Sequence, residues 1–178
     1  MYTKTSIRKI IKENFLNYSS VSREQKDLHI MSKIFEHEKI KTCKKVALYI
    51  SQADEPNTSK VISTFFEMGK NIYIPLIKDK NLFFGELKKG VKLKKGQYNI
   101  LEPDIFDIYD GEIDIFLVPG RAFTYDGKRV GRGVGYYDKF FSGEKYKNAY
   151  KIGICYDFQI VPDFQEDTWD IKMDEIIF

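Results

Sequence analysis

Residues 113–120 read IDIFLVPG. The apolar run is short, and Pro119-Gly120 punctuates its end, so it reads as a strand closed by a turn. Upstream, VALYIS (46–51) and NIYIPLI (71–77) are further short runs rich in strand formers. KIGICY (151–156) predicts another buried strand, LFFGEL (82–87) a strand or extended piece, and MDEIIF (173–178) a last one. The chain around YNILEP (98–103) reads as irregular.

Helical patterns lie between these runs. Ile7, Ile10, Ile11 and Phe15 recur at helical spacing and predict an amphipathic helix over residues 4–17. Ser22-Arg23-Glu24-Gln25 fits a capping box, with a second helix running to about residue 39. Asn57 or Thr58 caps a third, which Gly69 ends. A fourth surrounds residues 136–141. Strands alternating with helices predict an α/β three-layer sandwich with a largely parallel central sheet flanked by helices. The 178 residues favour one domain spanning residues 1–178.

The net charge of +3 is too mild to imply nucleic acid by itself. No apolar run approaches the ~20 residues of a membrane span. The N-terminus has no signal-peptide pattern. Cys43 and Cys155 are far apart and lack metal-ligand spacing, so reduced, partly buried thiols are expected. A soluble, cytoplasmic protein follows as the expectation.

Chemistry concentrates in GKRVGRGVGYYDKFF (127–141), after an Asp126-Gly127 turn. Gly131, Gly133 and Gly135 alternate with Arg132 and Val134. Alternate glycines allow positive φ and uncover main-chain N–H groups, which suits an anion. Arg129 and Arg132 offer bidentate hydrogen bonds to phosphate oxygens, and Lys128 a looser cation. Tyr136 and Tyr137 can stack on a flat ring. Asp138 can join a magnesium-phosphate site or simply complement a helix start. The motif is neither a Walker A loop nor a G-x-G-x-x-G fingerprint. Residue types alone leave a flexible hairpin with solvated arginines open. Lys4 and Arg8 repel each other near a helix start, which an anion would relieve, although a solvated basic face fits as well. Asp54-Glu55 follows a strand at the end where α/β sheets collect ligands, or else leads acidically into the next helix.

VPGRAFTYDGKRVGRGVGYYDKFF (118–141) resembles the signature of the 5-formyltetrahydrofolate cyclo-ligase family. Pro119-Gly120, Phe123, Gly127 and the run from Arg129 to Asp138 match it. So do Lys4 and Arg8, Asp54-Glu55 with Thr58 behind, Glu102-Pro103, and Asp170 before Asp174-Glu175-Ile176-Ile177. Three positions depart from it: Arg121 replaces an aliphatic residue, Thr124 a common Asp, and Trp169 a common His.

The resemblance implies conversion of 5-formyltetrahydrofolate to 5,10-methenyltetrahydrofolate, with ATP as co-substrate and Mg²⁺ as cofactor. It implies that Lys4, Arg8, Arg129, Gly131, Arg132, Gly133, Val134, Gly135, Tyr136 and Tyr137 hold ATP. Ile50, Glu55, Arg132 and Tyr136 would contact the folate, Asp138 and Asp170 the metal, and Arg132 would be catalytic. Small-molecule substrates, no nucleic acid, no membrane and a monomer are the expected partnerships. The alternatives are a single-stranded RNA-binding module using the Gly/Arg/Tyr loop, and a folate-binding relative without turnover. Lys78, Lys80, Lys88 and Lys89 would meet either a polyglutamate tail or water.

Overall fold

The structure, a computed structural model, describes residues 2–96, 101–103 and 107–178. Six strands form one sheet in the order β10-β9-β6-β1-β2-β3. These are β1 (Lys45–Leu48), β2 (Asn71–Lys78), β3 (Asn81–Leu87), β6 (Ile115–Pro119), β9 (Tyr150–Ile154) and β10 (Glu175–Ile177). Only β3 runs antiparallel. Two small ribbons stand apart, β4 (Leu93–Lys95) with β5 (Leu101–Pro103), and β7 (Ala122–Phe123) with β8 (Arg129–Val130).

Alternation along the central strands assigns the layers. Val46, Leu48, Ile115 and Leu117 point one way. They pack on Ile30, Ile34, Ile40, Val61 and Phe65 from α2 (Ser20–Glu36), α3 (Glu38–Thr42) and α4 (Ser59–Glu67). Ala47, Phe116 and Val118 point the other way, toward Phe141 of α5 (Tyr136–Phe141). Burial on both faces explains why these strands are apolar without interruption. The first helix, α1 (Lys4–Leu16), lays Ile7 and Ile11 against Ala122, Val130 and Phe164. The expected three-layer α/β architecture is the one observed.

Asp114, the one charge in IDIFLVPG, sets the edge of this core. Its Oδ2 accepts the amides of Lys44 (2.8 Å) and Lys45 (2.9 Å), fixing where β1 starts beside β6. From β1 the chain crosses through α4 to β2 on one side, and later returns as β6 on the other. The order therefore reverses at β1 and β6, and their carboxyl ends frame a crevice of the kind that binds ligands.

Several local expectations are corrected. The second helix starts earlier, with Ser19 as its cap: Ser19 Oγ accepts the Ser22 amide at 3.2 Å, so Ser22 lies inside the first turn. That helix ends at Glu36, because His37 takes extended backbone and caps the separate α3. The β2–β3 hairpin turns through Asp79 (φ 50°) and Lys80 (φ 59°) with no glycine. Leu101–Pro103 is a strand, while residues 98–100 of the stretch expected to be irregular lie outside the described residues. Cys43 and Cys155 are both free thiols, Cys155 buried and Cys43 partly so. Among the described residues no helix is long and apolar enough to cross a membrane.

Phe123 is fully buried beside two glycines that leave room for its ring. A Cβ at Gly153 would lie 2.5 Å from Phe123 Cε1 and 2.7 Å from Ile176 Cδ1, and one at Gly120 would lie 2.5 Å from Phe123 Cζ. Phe123→Ala should therefore cost about 3–5 kcal/mol by leaving a cavity. Gly153→Ala should cost about 1–3 kcal/mol by overpacking. Urea denaturation should show both as lower midpoints at unchanged slope.

Candidate active site

A cavity of about 390 Å³ occupies the crevice at the ends of β1 and β6. One wall is apolar: Pro75 and Ile77 of β2 with Leu82 of β3. Pro75 lies past the last β1–β2 pair, Ala47 with Tyr73, so its missing N–H costs no bond to β1. The floor is the loop after β1, with Tyr49, Ile50, Gln52 and Glu55. The roof is the glycine loop with Tyr136 and Tyr137.

Thr58 fastens the acidic loop. Its hydroxyl donates to Tyr49 O (2.8 Å) and accepts the Ser51 amide (3.1 Å). Thr58 holds the N-cap position of α4 without a side-chain cap bond there, and Asn57, one residue before it, accepts the Ser59 amide on its Oδ1 at 2.9 Å. Glu55 is buried and satisfied on both oxygens, by the Gln52 amide (2.9 Å) and by Arg132 Nη2 (2.8 Å). Arg132 also grips Asp54, with Nη2 at 2.6 Å from Oδ1 and Nη1 at 3.5 Å from Oδ2. A second cation, Arg121, contacts Asp54 Oδ2. Burial alone would raise the Asp54 pKa, yet its bonds to the two guanidinium groups hold it below the usual carboxylate range. Burial, with the Glu55 charge adding to it, pushes the Tyr137 hydroxyl well up, so it stays protonated near neutrality.

Arg129 is buried beneath the loop. Its Nη2 donates to Asp138 Oδ2 (2.8 Å), Nη1 donates to Pro119 O (3.4 Å), and the guanidinium lies 5.5 Å from the Tyr137 ring centre. Gly133 (φ 110°) and Gly135 (φ 77°) take left-handed backbone. Gly131 does not; it is small because a Cβ there would come 2.9 Å from Arg129 Nη1. Among the described residues, the amides of Arg132 to Gly135 donate to no protein acceptor. They form an open row of N–H groups, the arrangement that suits an anion.

Arg8 Nε donates to Gly131 O (2.8 Å), which ties α1 to the loop. Lys4 pairs with Asp167 (2.8 Å) and with Asp170. The repulsion expected between Lys4 and Arg8 is thus relieved from within the chain, by two carboxylates and one carbonyl. Asp138 Oδ1 accepts the Ile171 amide (3.3 Å), so Asp138 and the segment carrying Asp170 meet on one side of the domain. Among the described residues no group of three or more His, Cys, Asp or Glu gathers as a metal cage.

The structure thus brings Ile50, Glu55, Arg129, Gly131, Arg132, Val134, Gly135, Tyr136 and Tyr137 onto one cavity. Gly133 lies in the same loop, Arg8 behind it and Asp138 beneath it. Lys4 and Asp170 pair with each other, and neither lines the cavity. Sequence reasoning missed the apolar wall of Pro75, Ile77 and Leu82, and the part of Arg121. Only the proline inside NIYIPLI signalled that β2 runs past its neighbour.

The family model for the 5-formyltetrahydrofolate cyclo-ligase family matches residues 1–178. A 5-formyltetrahydrofolate cyclo-ligase of Mycoplasma pneumoniae is 31% identical, over 98% of this chain and 97% of its own length. One from Mus musculus is 26% identical, over 98% and 93%. The NMR structure of 5,10-methenyltetrahydrofolate synthetase from Aquifex aeolicus superposes with a TM-score of 0.86 at 27% identity, covering 98% of this chain and 88% of that one. The 5,10-methenyltetrahydrofolate synthetase structure from Mycoplasma pneumoniae gives 0.80 at 25% identity, over 99% and 98%. With its sheet order, its crevice and its glycine loop, the chain belongs to the 5-formyltetrahydrofolate cyclo-ligase family of enzymes.

Proposed function

We infer that this enzyme uses Mg·ATP to drive the conversion of 5-formyltetrahydrofolate to 5,10-methenyltetrahydrofolate that its family membership assigns to it. One observation carries the reading. At the sheet's switch point, glycine-loop amides without a backbone partner and the Arg132 guanidinium, itself bound to the buried Glu55 carboxylate at 2.8 Å, border one apolar-walled cavity.

The chemistry needs both halves. A formamide oxygen leaves poorly. Transfer of the γ-phosphoryl group to it gives an iminium phosphate and ADP. N10 then attacks the formyl carbon and gives up its proton to solvent, and expulsion of phosphate completes the methenyl ring. Such steps depend on positioning and charge stabilisation. The glycine-loop amides, with Arg129, Arg8 and Lys4 around them, hold the nucleotide. Tyr136 and Tyr137 close its roof. Ile50 and the apolar wall receive the flat pterin, and Glu55 accepts its N–H groups. Arg132 is placed between the two sides, where charge passes from ATP to the formyl oxygen.

The implied Mg²⁺ fits the donors present. The ion takes one or two carboxylates and completes its shell with water and phosphate oxygens, so Asp138 and Asp170 suffice without a cage. Each is now balanced by a cation, Arg129 or Lys4. The ion, when bound there, adds positive charge beside the phosphates. A monomer in the cytoplasm, acting on small molecules, completes the proposal. The RNA-binding alternative finds no support in the loop, whose Arg129 is buried and whose Arg132 is paired with carboxylates.

Incubation with 5-formyltetrahydrofolate and Mg·ATP should give methenyl product and ADP in equal amounts. Product at full rate without nucleotide would refute the reading. Arg132→Ala should lower kcat by about 10²–10³-fold, with smaller changes in either KM, as for other charge-stabilising donors. Arg132→Lys should recover only part of the loss, since a point charge cannot reproduce a planar fork. Gly133→Val should act on ATP instead. A β-branched residue is strained at φ 110°, so the amide row shifts and the KM for ATP rises while circular dichroism stays native.

A further inference from the structure

Two guanidinium groups meet on Asp54, and they differ in freedom. Arg132 sits on the exposed glycine loop and divides itself between Asp54 and Glu55. Arg121 sits on a clamped turn. Its amide donates to Val130 O (2.6 Å). Its carbonyl and that of Gly120 both accept from the side-chain amide of Gln159, at 3.0 and 2.9 Å. Gln159 itself is fully buried. The Arg121 side chain is 17% exposed, against 39% for Arg132. Its Nη1 is buried, has no hydrogen-bond partner among the described residues and forms an ion pair with Asp54 Oδ2, so Asp54 is its counter-charge.

We propose that Arg121 is a positioning residue for Arg132: it keeps Asp54 paired, so that Arg132 can leave for the transferring phosphoryl group without stranding a half-buried carboxylate. The inference rests on the role given to Arg132 above. An arginine already bound to two acids stabilises a transition state only by its preference for the new charge over the old ones. Stranding a partly buried carboxylate would subtract from that preference. Glu55 is provided for, since it keeps the Gln52 amide and faces the cavity where the substrate N–H groups arrive. Asp54 is provided for by Arg121. An aliphatic side chain at position 121 would leave Asp54 to hold Arg132 alone, and more firmly.

The test is a double-mutant cycle in steady-state turnover, with circular dichroism on every variant. Arg121→Leu should lower kcat about tenfold while the KM for ATP stays within about twofold, the scale of coupling within one charge network. Arg121→Lys should restore most of kcat, because a contact made through one nitrogen needs charge more than a fork. In the Asp54→Asn background, where no carboxylate is left to strand, Arg121→Leu should change kcat by less than about twofold. An equal fall in both backgrounds would show that Arg121 acts by packing and would overturn the proposal, as would unchanged kcat in Arg121→Leu alone. Failure of the functional reading looks different. Wild-type protein would then form no methenyl product with Mg·ATP, and the proposal would fall with it before any variant was made.

Discussion

Arg129 carries a full charge to a place where only 4% of its side chain meets solvent. A buried cation persists only when an opposite charge and further acceptors replace the lost water. Asp138 supplies the charge, the Pro119 carbonyl accepts a second bond, and the Tyr137 ring presents its face. The pair joins the residues on either side of the glycine loop, and so closes residues 131–137 over the end of β6. Asp138 spends its other oxygen on the Ile171 amide, which draws the C-terminal segment under the same loop. Roof, strand end and tail thus share one ion pair. Removing either partner would strand a buried charge and loosen all three.

Around that anchor, in and beside the cavity, most of the cations are paired with carboxylates of the same chain. Asp54 and Glu55 answer Arg121 and Arg132, Asp138 answers Arg129, and Asp170 answers Lys4. Cations gathered this closely would otherwise be held together against their own repulsion. The internal carboxylates stabilise this arrangement, and any anion bound there would compete with them, so pre-assembly of the cations would come at a cost in affinity.

The architecture was legible because burial on both faces leaves a pattern. Within β6, Ile115 and Leu117 go to one core and Phe116 and Val118 to the other, whereas Ile113, just outside the strand, joins the second core; only Asp114 and Pro119-Gly120 break the apolar run. The glycine loop was legible because its spacing of Gly and Arg is rare. Other features were hidden for physical reasons. Ser19, Ser20 and Ser22 are all able to cap, and only the path into α2 selects Ser19. The β2–β3 turn uses Asp79 and Lys80 at positive φ, where sequence expects Gly or Asn. Pro75, Ile77 and Leu82 have the composition of core residues, and their exposure to the cavity depends on how far β1 extends beside β2. The counter-ion of Lys4 lies 166 residues away, a separation at which spacing carries no information.

That separation has a consequence for how the enzyme comes into being. The cavity floor and its apolar wall belong to the first half of the chain, and β1, β2 and α4 can associate through local crossovers. The glycine-loop side cannot form then. Lys4 and Arg8 are made long before their partners: Gly131 lies 123 residues after Arg8, and Asp170 lies 166 after Lys4. Until those segments are made, Lys4 and Arg8 lack these partners and the stripe of Ile7 and Ile11 on α1 is uncovered, because the hairpin that covers it has not been made. The nascent protein therefore passes through a stage in which the cavity floor and its apolar wall can assemble while the glycine-loop roof is still absent and the apolar stripe of α1 lies open. That stripe is covered only when β7 and β8 close over the helix.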